Sequence, residues 1–197
     1  MSRHAIVLAA GAGRRFGGRK LLAPWRGAPL LQGAVRAALG TRTERVTVVL
    51  GADAREVRGA MAGLDGPRLA TVTAADWRAG LSASLRAGVR ALPDDASACV
   101  VFLGDMPEAS AALADALLDR VEAGAPAARP AHAAGPAHPI AFGRVVFADL
   151  MVLTGDRGAR DLLGALGEAV AHIPVSDDGA VFDIDHPGDL ERWGGPK

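Results

Sequence analysis

The sequence predicts an α/β fold built on a mainly parallel sheet. Apolar runs rich in Val, Ile and Leu recur along the chain with helical patterns between them, the alternation that produces parallel strands joined by crossover helices. Runs such as "AIVLAA" and "ACVVFLG" are continuous in their apolar character, as in strands covered on both faces. Of the 197 residues half are apolar, enough for the core of one domain, and no internal repeat divides them.

Strands are expected near 4–9, 45–50, 69–74, 98–103 and 169–175, with shorter extended pieces near 127–130 and 139–143. Helical patterns cover 29–39, 53–62, 82–92, 110–122, 144–151, 157–165 and 187–193. Four of these carry start signals: Pro29 after a Gly-Ala turn, Asp53 after Gly51, Ser82 after Gly80, and Pro187 after Asp185, residues that favour the first turn or its cap. The Ala, Pro and Gly-rich stretch 123–139 reads as an excursion over the sheet within a single domain spanning 1–197. In such a sheet, ligands bind outside the carboxyl ends of the strands. Two loops fall there: the one after the first strand, and "GDMP" after the fourth.

Charge and hydropathy exclude several classes. The net charge is zero, which gives no electrostatic support to general nucleic-acid or membrane binding. No apolar run approaches the ~20 residues of a membrane span, and the first residues lack the apolar segment of a signal peptide, so a cytoplasmic location is expected. Cys99 is the sole cysteine and reads as a strand-core residue. The charge distribution is uneven. Eight cations, Arg3, Arg14, Arg15, Arg19, Lys20, Arg26, Arg36 and Arg42, precede the first acid, Glu44, while acids gather in "SDDGAVFDIDHPGDLE". There are 20 arginines and two lysines, Lys20 and Lys197. Lys20 therefore stands out in a chain whose generic cation is arginine, and a lysine is a compact charge on a flexible stem suited to a phosphate.

The stretch "LAAGAGRRFGGRK" (8–20) places four cations and no carboxylate among Gly11, Gly13, Gly17 and Gly18. The spacing of Gly11, Gly13 and Gly17 is one residue wider than a dinucleotide fingerprint, and no acid follows at the distance that would bind a ribose. A P-loop needs a hydroxyl after its lysine, but Leu21 follows Lys20. A solvated arginine-rich turn and a loop wrapping a nucleoside triphosphate remain. Glycine lets backbone N–H groups approach phosphate oxygens, and Arg15 and Lys20 would neutralise their charge.

These residues resemble the signature L-A-A-G-x-[GS]-x-R-[MF]-G-x-x-K of nucleotidyltransferases with the glycosyltransferase-A-like fold. The likeness continues in "KLLAPWRGAPLL" (20–31), "GLSASLRAG" (80–88), "FLGDMP" (102–107), "HPIAF" (138–142), "LTGDRGARDLL" (153–163) and "DIDHPGDL" (183–190). Taken in this order, the motifs resemble the molybdenum cofactor cytidylyltransferases and the neighbouring molybdopterin guanylyltransferases. The resemblance implies a three-layer α/β/α, Rossmann-like fold with a mainly parallel mixed sheet. It implies transfer of a nucleoside monophosphate from CTP, or from GTP, to molybdopterin cofactor or another phosphorylated small molecule, with release of pyrophosphate. Leu8, Ala9, Ala10, Gly11, Ala12, Gly13, Arg15 and Lys20 would hold the nucleotide, joined by Gly80, Ser82 and Ser84. Mg2+, with Mn2+ as the alternative, would bind Asp105 together with Asp185 or Asp183. His138, Arg157 and Arg160 would face the acceptor. Partners of this kind include a molybdenum hydroxylase or its chaperone, with no nucleic acid and no membrane.

Each motif has a plainer reading beside this one. Asp105 could cap the turn before Pro107, Asp185 and Asp156 could cap helices, and Asp189 reads as a helix-surface residue. Ser82 could be an N-cap, Trp77 could pack rather than line a pocket, and His138 could be structural. Ala137 stands where the resembled motif has glycine. A chain that holds the cofactor as a chaperone without turning over a triphosphate is the alternative from a different class.

Overall fold

A computed structural model describes residues 2–194. Its centre is a seven-stranded sheet formed by β1 (Ser2–Ala9), β4 (Arg45–Leu50), β5 (Leu69–Thr73), β6 (Ala96–Leu103), β7 (Ala127–Ala131), β8 (Ile140–Gly143) and β9 (Ala171–Pro174), in the order β5-β4-β1-β6-β8-β7-β9. β5, β4, β1 and β6 run parallel, β8 is antiparallel to both of its neighbours, and β7 pairs in parallel with β9. The remaining strands, β2 (Pro24–Trp25) and β3 (Ala28–Pro29), form a small separate hairpin.

Side-chain parity along the strands builds two cores. Ala5, Val7 and Ala9 of β1 point to one face with Val100 and Phe102 of β6, beneath helices α1 (Leu31–Leu39), α2 (Ala54–Gly59) and α4 (Ala111–Glu122). Ile6 and Leu8 point to the other face with Cys99 and Val101, beneath α3 (Leu81–Arg90), α5 (Phe147–Val152) and α6 (Arg160–Leu166). Successive residues of a strand face opposite ways, so continuous apolar runs here mean two covered faces. The result is a three-layer α/β/α arrangement. Cys99 is fully buried, and desolvation pushes its thiol up to about 12. No helix among the described residues is long and apolar enough to cross a membrane.

A third, smaller core matters most for the site. Trp25, Leu30, Phe182 and Ile184 pack together at the edge of the molecule, the Trp25 and Phe182 rings 5.5 Å apart. The hairpin thereby grips the segment leading into α7 (Pro187–Gly194).

Local start signals are corrected at several points. Pro29 lies in β3, and α1 begins two residues later at Leu31. Asp53 precedes α2 in a left-handed conformation without a side-chain cap. Ser82 lies inside α3 and is fully buried, its Oγ donating to the Thr154 carbonyl at 3.1 Å. Asp185 does not cap α7. Asp189 fills that role from within the helix, its Oδ2 accepting from the backbone N–H groups of Asp185 and His186 at 2.9 and 2.7 Å, the reach-back half of a capping box. Those two bonds hold Asp189 below the usual carboxylate range: His186 N–H has the largest effect, burial opposes it, and Asp185 N–H adds to it. Asp156 caps no helix, since α6 starts at Arg160 without a side-chain cap.

Candidate nucleotide and acceptor site

A cleft of about 460 Å³ opens at the carboxyl ends of β1 and β6. Leu8, Ala9, Ala10, Gly11, Ala12 and Gly13 form one wall, joined by Lys20 and Asp105. Gly80, Ser84 and Trp77 line the other end. The N–H groups of residues 11–13 have no acceptor among the described residues. Gly13 takes a left-handed conformation, φ 60°, and a Cβ there would lie 2.8 Å from the Lys20 Cβ. The glycine thus makes room for the lysine. Two short turns, Arg14–Phe16 and Lys20–Leu22, then bring Lys20 back over the start of the loop.

Asp185 reaches the lysine of this cleft from a segment that the hairpin core holds. Phe182 and Ile184 are buried while Asp183 and Asp185 alternate outward. Ile184 N–H donates to the Asp105 carbonyl at 3.2 Å, and His138 N–H donates to the Ala180 carbonyl at 2.7 Å. Lys20 Nζ donates to Asp105 Oδ2 at 2.7 Å and to Asp185 Oδ1 at 3.0 Å. Arg15 Nη1 donates to Asp185 Oδ2 at 2.9 Å. Lys20 is the least exposed member, its side chain 11% accessible, while Arg15 is 75% accessible.

The electrostatics follow from this convergence. Burial works against the Lys20 charge, but Asp105 and Asp185 outweigh it and hold the ammonium above the usual lysine range. Lys20, with Arg15, holds Asp185 below the usual carboxylate range against burial. Asp183 is raised by burial and by the charges of Asp105 and Asp185. Among the described residues no three His, Cys, Asp or Glu side chains group closely enough to hold a metal alone. Two carboxylates converging on one ammonium nevertheless fit a hard cation, since magnesium commonly uses one or two carboxylates and takes the rest of its ligands from phosphates and water.

A second cavity, of about 500 Å³, adjoins the first and shares Leu8, Leu81, Leu103 and Asp156 with it. His138, Arg157 and Arg160 line it, as do Arg129 and an apolar floor. Burial pushes His138 down to about 4, so its ring is neutral at neutral pH. Arg157 pairs with Asp161 at 2.7 Å.

The structure therefore brings most of the expected residues to two adjoining cavities. Ser82 lines neither, being buried and committed to Thr154, and neither do Asp183 and Asp185, of which Asp185 meets the cleft through Lys20. Arg14 lines the cleft where Arg15 was expected, and Arg15 reaches Asp185 instead. Sequence reasoning missed Arg129, Arg78 and the cleft-facing position of Asp156. Arg78 stacks on Trp77, its guanidinium carbon 4.4 Å from the ring centre. Asp156 lies opposite Gly80, where a Cβ would come within 2.5 Å of its Oδ1. The available signal for Arg129 was a lone charge inside the extended piece "AARPA".

The chain is similar to several known proteins. The family described as MobA-like NTP transferase domain matches residues 5–170. Purine catabolism protein PucB of Bacillus subtilis is 31% identical over 193 residues, which are 94% of this chain and 93% of that protein. The bifunctional protein GlmU of Kineococcus radiotolerans is 40% identical over 154 residues, 72% of this chain, and this chain spans only 29% of that protein's length. Among solved structures, Rv0371c of Mycobacterium tuberculosis in complex with manganese superposes with a TM-score of 0.82 at 29% identity, over 100% of both chains.

Proposed function

The chain belongs to the MobA-like NTP transferase family, and from that premise we propose that it moves a nucleoside monophosphate from CTP to a phosphorylated acceptor of the molybdopterin type. The observation that carries the reading is the convergence of free loop N–H groups, Lys20 and two carboxylates from distant parts of the chain in one cleft. The acceptor phosphate attacks the α-phosphorus of the triphosphate. A new P–O bond forms, the bond between the α-phosphorus and its bridging oxygen breaks, and pyrophosphate leaves. Such transfer rests mainly on positioning and charge neutralisation. The N–H groups of Gly11, Ala12 and Gly13, with Lys20, would hold the outer phosphates and stabilise the charge that builds on the leaving pyrophosphate. The attacking phosphate is already ionised at neutral pH, so no general base is needed.

Asp105, together with Asp185 or Asp183, would hold a divalent metal, Mg2+ in the first instance. When bound it would supply Lewis-acid neutralisation of phosphate charge. Trp77, Gly80 and Ser84 would receive the nucleoside. Ala10, almost fully buried in the cleft wall and backed by Gly51, would narrow the base end against a purine. The second cavity would take the acceptor.

The deciding test is pyrophosphate release with Mg2+, CTP or GTP, and molybdopterin cofactor. CTP-dependent release supports the whole reading. Preference for GTP keeps the reaction and overturns the donor, and an unchanged CTP/GTP preference in Ala10→Gly overturns the role given to Ala10. Release only with sugar or alditol phosphates overturns the acceptor. Nucleotide binding without release from any acceptor favours a carrier of the cofactor.

A further inference from the structure

Four buried side-chain nitrogens among the described residues lack a hydrogen-bond partner: His4 Nδ1, Arg68 Nε, Arg129 Nε and His138 Nδ1. Two of the four belong to Arg129 and His138, residues that line the second cavity. Buried polar atoms are nearly always satisfied, and exceptions mark a missing ligand or water. Arg68 differs, because its two terminal nitrogens are spent on the Leu39, Thr41 and Thr43 carbonyls. Arg129 has no carboxylate and no carbonyl acceptor among the described residues. It is a half-buried guanidinium on β7, beside a neutral imidazole and above an apolar floor that includes Leu85, Val101 and Phe142. Leaving a cation so placed without an anion is costly, and a guanidinium forks naturally onto a carboxylate or phosphate.

We propose that Arg129 binds a second oxyanion of the acceptor, distinct from the phosphate that reacts. The acceptor class is then a phosphate monoester whose ring-sized body covers the cavity floor and carries a second anionic oxygen group at its far end, for which a carboxylate and a second phosphate serve as probes. Arg157 and Arg160 serve the rim, where both are exposed, and Arg129 serves the interior. This rests on the nucleotidyltransferase reading for the placement of the reacting phosphate.

The test is calorimetric titration with three probes of one shape: benzyl phosphate, 4-carboxybenzyl phosphate, and the bisphosphate of 1,4-benzenedimethanol. Wild-type protein binds one or both of the probes that carry an anion at each end about ten-fold more tightly than benzyl phosphate, the worth of one charge-assisted hydrogen bond. Which of the two gains more tells carboxylate from phosphate. Arg129→Gln reduces that ratio to about one. Because the ratio is read within each protein, general loosening of the variant affects all probes alike. Arg129→Lys retains part of the preference and covers the case of a glutamine variant that does not fold. Equal affinity of the three probes for wild type, absence of binding, or a preference that survives in Arg129→Gln overturns the proposal. A separate titration with CTP and GTP reports on the first cleft. If it shows no binding while the probe preference stands, the proposed transfer reaction fails and the anion site does not.

Discussion

Lys20 touches both carboxylates that would hold a metal, from a position 11% exposed. Its replacement by alanine removes the charge that would face the outer phosphates and leaves Asp105 and Asp185 repelling one another. A fall in kcat/KM of about 100- to 1,000-fold is expected, the usual cost of removing one group that stabilises developing charge, read as pyrophosphate release. The ion cluster also sets a pH window. Asp185 is depressed, so its share of stability is lost only as pH falls through a value below the normal carboxylate range. Lys20 is raised, so its share is lost only above the normal lysine range. His138 behaves differently. Its folded value of about 4 lies under the usual ~6.5 of an unfolded histidine, so the unfolded chain takes up the proton first. Stability therefore declines as pH falls from 6.5 toward 4, by roughly 3 kcal/mol at 1.36 kcal/mol per unit. Urea unfolding of wild type and His138→Gln across that range checks it: the variant's stability is flatter with pH, and parallel curves would remove His138 as the cause.

At the level of elements, the site depends on two contacts that hold it from behind. Gly33 of α1 lies against the turn after β6, where a Cβ would come within 2.6 Å of the Pro107 Cα. Gly33→Ala pushes the helix off the segment that carries Asp105. It is expected to lose about 1–3 kcal/mol by overpacking and to lower kcat, because a displacement near 1 Å is enough to upset reacting geometry. Thermal unfolding and steady-state kinetics on the same variant test both halves. The other contact is the packing of the hairpin on Phe182. Trp25→Ala removes a side chain 6% exposed and should cost about 3–5 kcal/mol, and divalent metal affinity should weaken with it as Asp183 and Asp185 lose their support. The legibility of these elements from sequence was uneven for a physical reason. The central strands β1, β4 and β6 were evident as dense apolar runs, whereas β7, with Arg129 and Pro130, and β9, with His172, carry weaker signals. The hairpin was not evident, because two-residue strands carry no period. Pro29 signals a first helical turn equally well as it signals an edge strand, and the choice was made by packing around Trp25. Ser82 presented the right residue type for a cap or a ligand, but its burial against Thr154 is a tertiary fact.

Over the whole molecule, the sheet's single reversed strand, β8, could not be read locally, since direction depends on which neighbours a strand finds. The two cavities were legible only as separate motifs, and their common wall of Leu8, Leu81, Leu103 and Asp156 emerges from the fold. The arrangement carries a prediction about coupling. In the free protein Lys20 and Arg15 occupy the oxygens of Asp105 and Asp185 that a metal would use. A triphosphate draws those cations toward itself and frees the carboxylates, so nucleotide and metal should bind cooperatively. Titration of Mn2+ with and without a non-hydrolysable CTP analogue is expected to show a metal affinity about 5–150-fold tighter in its presence, the common span of such coupling. Identical affinities would show that the pairs do not compete with the metal.

The bond between Lys20 and Asp185 spans 165 positions. During synthesis the glycine loop leaves the ribosome early and Asp105 follows midway, yet neither meets Asp185 until translation has passed that residue. A nascent chain can lay down β1, β4, β5 and β6 and still lack the carboxylate that pairs with both Arg15 and Lys20. The ion cluster is thus completed in the order of manufacture, and a chain interrupted before residue 185 leaves Arg15 without its carboxylate and Lys20 with Asp105 alone.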